Sequence, residues 1–217
     1  MKIVVGGTPS SGKSRVVLAL ARAGGFGRLG VAKLDCVTTT DDALFAARGL
    51  PVTRLLAGRH CPDHLLMERL AELDGWASAQ GLDTLAIETA GLCGRCAPYL
   101  ADAVAVCVVD CTAGVRAPRK LGPLLADADV VVLSKGDLVS QAEREVFAAA
   151  VAERNPGAAR AAFDGLTGEG GWELARAVRE RAAGIAAAAD GASLRTALPQ
   201  LYCSYCLGRS EAGIRTM

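Results

Sequence analysis

The stretch GTPSSGKS, residues 7–14, matches the pattern G-x-x-x-x-G-K-[ST] at every position. An apolar run, KIVVGG, precedes it and a segment with helical periodicity, KSRVVLALARAG, follows, so the motif lies between a strand and a helix as it must. The backbone N–H groups of such a loop close around phosphates, and the helix N-terminus adds partial positive charge. We predict that Lys13 contacts the β- and γ-phosphates of a nucleotide, that Ser14 binds Mg²⁺, and that the other loop residues surround the phosphates: Gly7, Thr8, Pro9, Ser10, Ser11 and Gly12.

The rest of the chain alternates short apolar runs with helical stretches, which is typical of βαβ units. The predicted strands are 2–7, 29–35, 84–89, 103–110, 129–135 and 159–165, and the predicted helices begin at about 13, 61, 140 and 170. Ser140 with Glu143 predicts a capping box at the third of these helices. We therefore expect an α/β fold with a doubly wound, mostly parallel sheet of the P-loop NTPase type over residues 1–185, followed by a C-terminal tail over 186–217.

Composition excludes several classes of protein. The 24 basic and 23 acidic residues give a net charge of +1, so a nucleic-acid partner is not expected. No run of about 18 apolar residues is present and the N-terminus does not resemble a signal peptide, so we expect a cytoplasmic protein without a membrane partner. Eight cysteines in that compartment indicate free thiols rather than disulfides. Cys107, inside the apolar run AVAVCVVD, is predicted to be a small buried hydrophobic residue.

Two acidic residues end predicted strands. Asp35 ends the second strand and Glu88 ends the third, directly before TAG. Carboxylates there could bind Mg²⁺ or orient an attacking water, with Gly91 near the γ-phosphate. The alternative is that each acid caps a turn or a helix. We name Lys13, Asp35 and Glu88 as the candidate catalytic residues, and Asp35 also as a candidate Mg²⁺ ligand.

The segment LSKGD ends the fifth predicted strand and resembles the [NT]-K-x-D guanine-specificity element of GTPases, with Ser134 in the usual place of Asn. In that interpretation the Asp137 carboxylate accepts two hydrogen bonds from guanine, and the Lys135 stem packs over the base. Adenine lacks that pair of donors and is rejected. The alternative is a surface turn. The segment DGLTGEG, residues 164–170, is placed as a second base-contacting loop through Leu166 and Thr167.

The motifs GTPSSGKS, KLDCVTTTDDA, RHCPDH, ETAG, SKGD and GLTGEG, in this order and spacing, resemble the nickel-insertion GTPases of hydrogenase and urease maturation. These form a family within the SIMIBI class of P-loop GTPases, and the resemblance covers roughly residues 1–180. It implies binding of GTP and Mg²⁺ and GTP hydrolysis by a nucleotide-gated homodimer. It also implies delivery of a metal, or assembly of a metal centre, in a client metalloenzyme or through its accessory protein.

The resemblance also suggests metal ligands. RHCPDH is similar to the Cys-Pro-His or Cys-His element of the family, which points to Cys61 and His64, although one residue is inserted before the histidine and His60 is a second candidate. A thiolate and an imidazole suit Ni²⁺ or Zn²⁺. Two ligands per chain are too few for a closed site, and a twofold dimer would supply four. The alternative is that Cys61 and His64 cap or pack the start of the helix.

Two C-x-x-C pairs, Cys93/Cys96 and Cys203/Cys206, add further thiols. A metal is the preferred interpretation of the first pair, with structural thiols or redox chemistry as alternatives. Together the pairs could form one Cys₄ site for Zn²⁺ or an Fe–S cluster, or each could meet its symmetry mate in a dimer. The tail has no counterpart in the family core, which suggests a specialised branch whose cargo need not be nickel.

Three other interpretations use the same motifs. An ATPase of the deviant P-loop kind, acting on Fe–S or other metal clusters, normally carries an additional lysine early in the loop, and GGTPSSGKS has none before Lys13. A small-molecule kinase would need an acceptor pocket and a catalytic base, for which the sequence offers no candidate. A non-enzymatic module would bind the metal or cluster and use the nucleotide only as a switch.

Overall fold

The structure, a computed structural model, describes residues 1–58, 61–91, 97–185 and 193–196. In these ranges seven strands form one sheet: β1 Lys2–Gly7, β2 Leu29–Asp35, β3 Val52–Leu56, β4 Thr84–Glu88, β5 Ala103–Asp110, β6 Val130–Ser134 and β7 Ala159–Phe163. All neighbours are parallel, in the order β3-β2-β4-β1-β5-β6-β7. The predicted α/β class and parallel sheet are confirmed.

Helices cover both faces of the sheet. Their bounds are α1 Lys13–Ala23, α2 Asp41–Ala46, α3 Pro62–Ala79, α4 Gly122–Ala126, α5 Gln141–Arg154 and α6 Gly171–Ala182, with short 3₁₀ turns at Cys111–Ala113, Ala117–Lys120 and Gly136–Leu138. One apolar core lies under α3, α4 and α5 and the other under α1, α2 and α6, through residues such as Leu66, Leu124 and Phe147 in the first and Val17, Phe45 and Val178 in the second. The sheet is therefore doubly wound, as predicted.

The six predicted strands are all present, with ends that differ by at most two residues, and the four predicted helices begin within one residue of their predicted starts. The Ser140–Glu143 capping box is formed, and Cys107 is fully buried in the core. Two elements were not predicted. The edge strand β3 consists of half-buried and exposed residues, and its sequence VTRLL mixes polar with apolar side chains. It therefore lacks the continuous apolar run that is typical of a strand buried on both faces. Helix α2 has only 6 residues, too few to show a helical period.

A short part of the C-terminal tail lies against the domain. Leu194 forms an antiparallel bridge with Leu100, and the Arg195 guanidinium is paired with Asp129. Residues 193–196 thus contact residues 99–101, which follow the first cysteine pair in the chain. The proposed boundary at residue 186 stays a prediction. Within the described residues, no helix combines the length and the apolar character needed to cross a membrane.

Candidate nucleotide and metal site

The loop between β1 and α1 has the shape of a phosphate cradle. Gly12 precedes α1 with φ of 96°, and Ser10 also has positive φ, at 60°. Left-handed conformations of this kind are typical of loops whose backbone N–H groups bind anions. The Lys13 ammonium donates to the carbonyl oxygens of Thr8 at 2.8 Å and Gly7 at 3.2 Å. Burial lowers the pKa of Lys13 to about 8, because the charged ammonium has lost contact with water. A bound anion would therefore stabilise this ammonium.

A cluster of charged side chains, called here the metal-side cluster, lies at the start of α1 and consists of Ser14, Lys33, Asp35, Asp41 and Glu88. The Ser14 hydroxyl oxygen is 2.8 Å from Glu88 Oε1 and 3.1 Å from Asp41 Oδ2. The Lys33 ammonium is 2.6 Å from the same Glu88 oxygen and 2.8 Å from the same Asp41 oxygen. Asp35 is more distant, at 3.8 Å from Lys33.

The charges of this cluster depend on one another. Burial lowers the pKa of Lys33, but the Glu88 and Asp41 carboxylates outweigh burial and leave that pKa above its usual value. Burial alone would raise the pKa of Asp41, yet its hydrogen bond with Lys33 brings it below the usual value. For Glu88 burial prevails, and its pKa is raised despite Lys33 and Ser14.

The cluster fits Mg²⁺. Its ligand atoms are a hydroxyl and carboxylate oxygens, the hard donors that this ion prefers. The second carboxylate oxygen of Glu88, Oε2, is buried and accepts no hydrogen bond from any described residue. Because Glu88 contacts Ser14, the structure places it on the metal side of the loop. The sequence predicted Ser14, Asp35 and Glu88 for this site, and it did not predict Lys33 or Asp41.

Gly91 brings the segment after β4 against the phosphate loop. It has φ of 72°, and a Cβ at this position would overlap the carbonyl oxygen of Gly7 and approach the Lys13 nitrogen to 3.1 Å. Only glycine combines this conformation with so close an approach. Gly91 therefore lies beside Lys13, the residue that the motif predicts to contact the terminal phosphates, and its nearness to a γ-phosphate stays a prediction.

A cavity of about 220 Å³, called here the base-side cavity, lies on the other side of α1. It is lined by the phosphate loop, by the turn after β6 with Lys135 and Asp137, and by the loop after β7 with Leu166. Lys135 has φ of 56° and its ammonium pairs with Asp110 at 2.6 Å. Ser134 donates to the carbonyl oxygen of Ser11 at 2.7 Å, which joins the phosphate loop to this turn.

The loop after β7 is shaped by its own hydrogen bonds. Asp164 accepts from the Leu166 backbone N–H and from the Thr167 hydroxyl, both at 2.7 Å. The Thr167 side chain therefore supports the loop, whereas Leu166, 85% exposed, lines the cavity. The structure thus brings Lys135, Asp137 and Leu166 together at one cavity, and Thr167 is not among the residues that line it.

The predicted metal element at the start of α3 is partly buried. Cys61 precedes the helix and is half-buried, whereas Asp63 and His64 are buried. Burial raises the pKa of Asp63 to about 7 and lowers the pKa of His64, and neither ring nitrogen of His64 has a hydrogen-bond partner among the described residues. Burial, then the Asp35 and Asp63 carboxylates, raise the pKa of the Cys36 thiol, so this element lies near the end of β2. In the described ranges, no three His, Cys, Asp or Glu side chains form a group that could hold a metal.

The remaining predicted ligands, Cys93, Cys96, Cys203 and Cys206, lie outside the described residues, as does His60. Lys33 and Asp41 each have a signal in the sequence. A lysine within the buried strand LGVAKLD needs an acidic partner. The acids of TTTDDALFA begin a helix close to the end of that strand.

Comparisons with known proteins agree with this geometry. A sequence profile described as "CobW/HypB/UreG, nucleotide-binding domain" matches residues 1–161. An uncharacterized protein of Methanocaldococcus jannaschii is 41% identical over 215 residues, covering 97% of this chain and 91% of that protein. Urease accessory protein UreG 1 of Saccharopolyspora erythraea is 34% identical over 151 residues, covering 64% and 60%.

Two solved structures share the fold. HypB from Helicobacter pylori in complex with nickel matches with a TM-score of 0.69 at 17% identity, covering 88% of this chain and 90% of that one. Hydrogenase maturation factor HypB from Archaeoglobus fulgidus matches with a TM-score of 0.66 at 22% identity, covering 84% and 90%.

Proposed function

This chain belongs to the CobW/HypB/UreG family of nucleotide-binding proteins, and from that premise we propose that it hydrolyses GTP to deliver a metal or assemble a metal centre. The recipient would be a client metalloenzyme or its accessory protein, and the active form a homodimer gated by the nucleotide. One relative is named a urease accessory protein, and HypB, which shares the fold, is named a hydrogenase maturation factor and has a structure in complex with nickel.

The phosphate loop and the metal-side cluster supply the chemistry of hydrolysis. Lys13 would exchange its loop carbonyl partners for phosphate oxygens, and Ser14 with the carboxylates of Asp41 and Glu88 would hold Mg²⁺. The bound ion would neutralise charge that develops on the phosphates. Hydrolysis then rests on positioning and charge stabilisation, without a covalent enzyme intermediate.

Guanine is the proposed base because of the position of Asp137. Its carboxylate lines the base-side cavity together with the Lys135 stem and Leu166. A carboxylate there accepts from the two donors on the guanine edge, which adenine does not offer. The hydrogen bond from Ser134 to Ser11 fixes the distance between the base-reading turn and the phosphate loop.

The observation that carries the metal part of the proposal is the contact of Gly91 with the phosphate loop. Gly91 packs against Gly7 and Lys13, and the chain reaches Cys93 two residues later. Any change in this segment when the γ-phosphate is lost is thus transmitted over a very short length of chain to Cys93 and Cys96. Thiols this near a switch suit a metal whose affinity depends on the nucleotide.

The tail supports a single site for both cysteine pairs. The Ala101 N–H donates to the Ser193 carbonyl oxygen and the Arg195 N–H donates to the Tyr99 carbonyl oxygen, both at 2.9 Å. Residues 193–195 therefore run antiparallel to residues 99–101, in the direction of Cys96 along that segment. The Arg195 guanidinium adds hydrogen bonds to the backbone of residues 100, 103 and 127. Cys203 follows Thr196 by seven residues, a span of at most roughly 25 Å. We therefore favour four thiolates from one chain, with Zn²⁺, another transition metal or an Fe–S cluster as substrate.

Cys61 and His64 are proposed as a second pair of metal ligands. Burial lowers the pKa of His64, so its imidazole is neutral at pH 7, the form that binds metals. Its two ring nitrogens have no hydrogen-bond partner among the described residues, a cost that a metal bond would offset. A Ni²⁺ or Zn²⁺ ion held by this pair would need further ligands from a second copy of the chain.

The first experiment compares nucleotides and metals on anaerobically purified protein. Turnover of GTP and ATP is measured with and without Ni²⁺, Zn²⁺ or reconstituted iron, and bound metal and sulfide are quantified. We expect slow GTP hydrolysis that depends on Mg²⁺, with ATP bound at least about 30-fold more weakly. Preference for ATP would favour a metal-cluster ATPase, and turnover at background under every condition would favour a non-enzymatic switch.

The second experiment separates one thiol site from two. Metal content is measured for Cys93→Ala/Cys96→Ala and for Cys203→Ala/Cys206→Ala, with Cys107→Ala, a buried core thiol, as the matched control. A shared site predicts that either double variant loses all of the thiol-bound metal while keeping its GTP affinity. Loss of half from each would show two separate sites.

A further inference from the structure

We propose that the Lys33 ammonium is a tethered cation that competes with a divalent metal ion for Ser14, Asp41 and Glu88, so that the metal binds there only together with a nucleotide. The competition involves the protein and the metal alone. The nucleotide requirement rests on the proposed function, and the experiment below keeps the two apart.

The sheet fixes Lys33 in this place. It is paired with Glu88 in the register of β2 and β4, so the two side chains project to the same side at the carboxyl edge of the sheet. The Lys33 side chain is 4% exposed and the Glu88 side chain 1% exposed. A charge this deeply buried needs opposite charges beside it, and Glu88 and Asp41 are within hydrogen-bond distance.

Lys33 and a metal would use the same oxygens. Ser14 and Lys33 both contact Oε1 of Glu88 and Oδ2 of Asp41. Mg²⁺ bound to Ser14 and to either carboxylate would lie about 2.1 Å from each ligand oxygen. It would then be too near the Lys33 nitrogen for both cations to share those atoms, because like charges repel strongly in a buried site.

The charge balance explains why a nucleotide is needed. The carboxylates of Asp35, Asp41 and Glu88 face the ammonium groups of Lys13 and Lys33, which leaves one formal negative charge in excess. That excess attracts a divalent ion weakly, whereas nucleotide phosphates bring several negative charges and their own oxygens. Lys33 thereby keeps free metal ions, including the metal carried at the thiols, away from the GTPase site.

The test is Mn²⁺ binding to purified protein without nucleotide, followed by electron paramagnetic resonance or calorimetry. Lys33→Met removes the ammonium and keeps the length of the side chain. We expect Lys33→Met to bind Mn²⁺ at least about tenfold more tightly than the wild type, and Mn²⁺ to raise the melting temperature of this variant only. The matched control is Lys2→Met, since Lys2 also pairs with two carboxylates, Asp74 and Asp102, but at the start of β1.

Equal Mn²⁺ affinity in Lys33→Met and the wild type would overturn the proposal, and so would an equal gain in Lys2→Met. If Lys33→Met does not fold, Lys33→Gln, which keeps a hydrogen-bond donor, is measured in the same way. The readout contains no nucleotide, so it stands if GTP turnover is absent. GTP turnover in the wild type likewise stands if Mn²⁺ binding does not change.

Discussion

The two sides of the nucleotide site are built in different ways. On the metal side, contacts of 2.6 to 3.1 Å join Lys33, Asp41, Glu88 and Ser14, and the register of β2 and β4 holds Lys33 beside Glu88. On the base side, two loops surround a cavity of about 220 Å³ in which Asp137 faces open space. The metal side, where we propose that hydrolysis occurs, thus depends on strand pairing, whereas the base side, where we propose that guanine is selected, depends on loops.

The largest effect is expected at the lysine between the two sides. Lys13→Ala removes a buried ammonium that would make charge-assisted hydrogen bonds with the phosphates, so GTP affinity should fall at least about 100-fold. Fluorescent-nucleotide titration measures this. Melting temperature serves as the control and should not fall steeply, since the buried ammonium is itself unfavourable in the folded protein. Affinity within threefold of the wild type would mean that the loop does not bind phosphates through Lys13.

Asp137→Asn tests the base side alone. The amide cannot accept both guanine donors, so affinity for GTP should fall roughly 30- to 100-fold while xanthine nucleotides gain affinity. Competition binding with GTP, ATP and XTP gives all three affinities on the same protein. Guanine preference equal to that of the wild type would remove Asp137 from base recognition and leave the metal side untouched.

Gly91→Ala tests the link from the metal side to the thiols. The new Cβ would overlap the Gly7 carbonyl oxygen, so the segment after β4 must move, and hydrolysis should slow at least about tenfold while GDP affinity changes less. Gly49→Ala is the matched control, because Gly49 has nearly the same φ, 73° against 72°, and open space around its Cβ. If both variants slowed hydrolysis equally, backbone strain rather than the contact with Gly7 would be the cause.

The smallest effect is the pH dependence of GTP affinity that Lys13 should cause. Burial lowers the pKa of Lys13 to about 8, and bound phosphates would raise it, because they stabilise the ammonium. Below pH 8 the lysine is charged before binding, and above pH 8 it must first take up a proton. GTP affinity should therefore fall up to about tenfold between pH 7 and pH 9, a range for titration calorimetry. A flat profile over this range would place the pKa of Lys13 at its ordinary value.

The difference between the two sides also explains what the sequence could predict. The phosphate loop and the SKGD turn each lie within a few consecutive residues, so Lys13, Ser14, Lys135 and Asp137 can be predicted from spacing alone. Lys33 and Glu88 are 55 residues apart and meet only through the pairing of β2 with β4. Short elements were missed for a related reason, since the edge strand β3 carries little apolar periodicity of its own.

Coupling between the nucleotide and the thiols is measured most directly by metal transfer. Protein loaded with Zn²⁺ is mixed with a chromophoric chelator in the presence of a non-hydrolysable GTP analogue or of GDP, and the release rates are compared. The contact of Gly91 with the phosphate loop predicts rates that differ at least about tenfold between the two nucleotides, and a much smaller difference in Gly91→Ala. Equal rates with both nucleotides in the wild type would contradict the coupling.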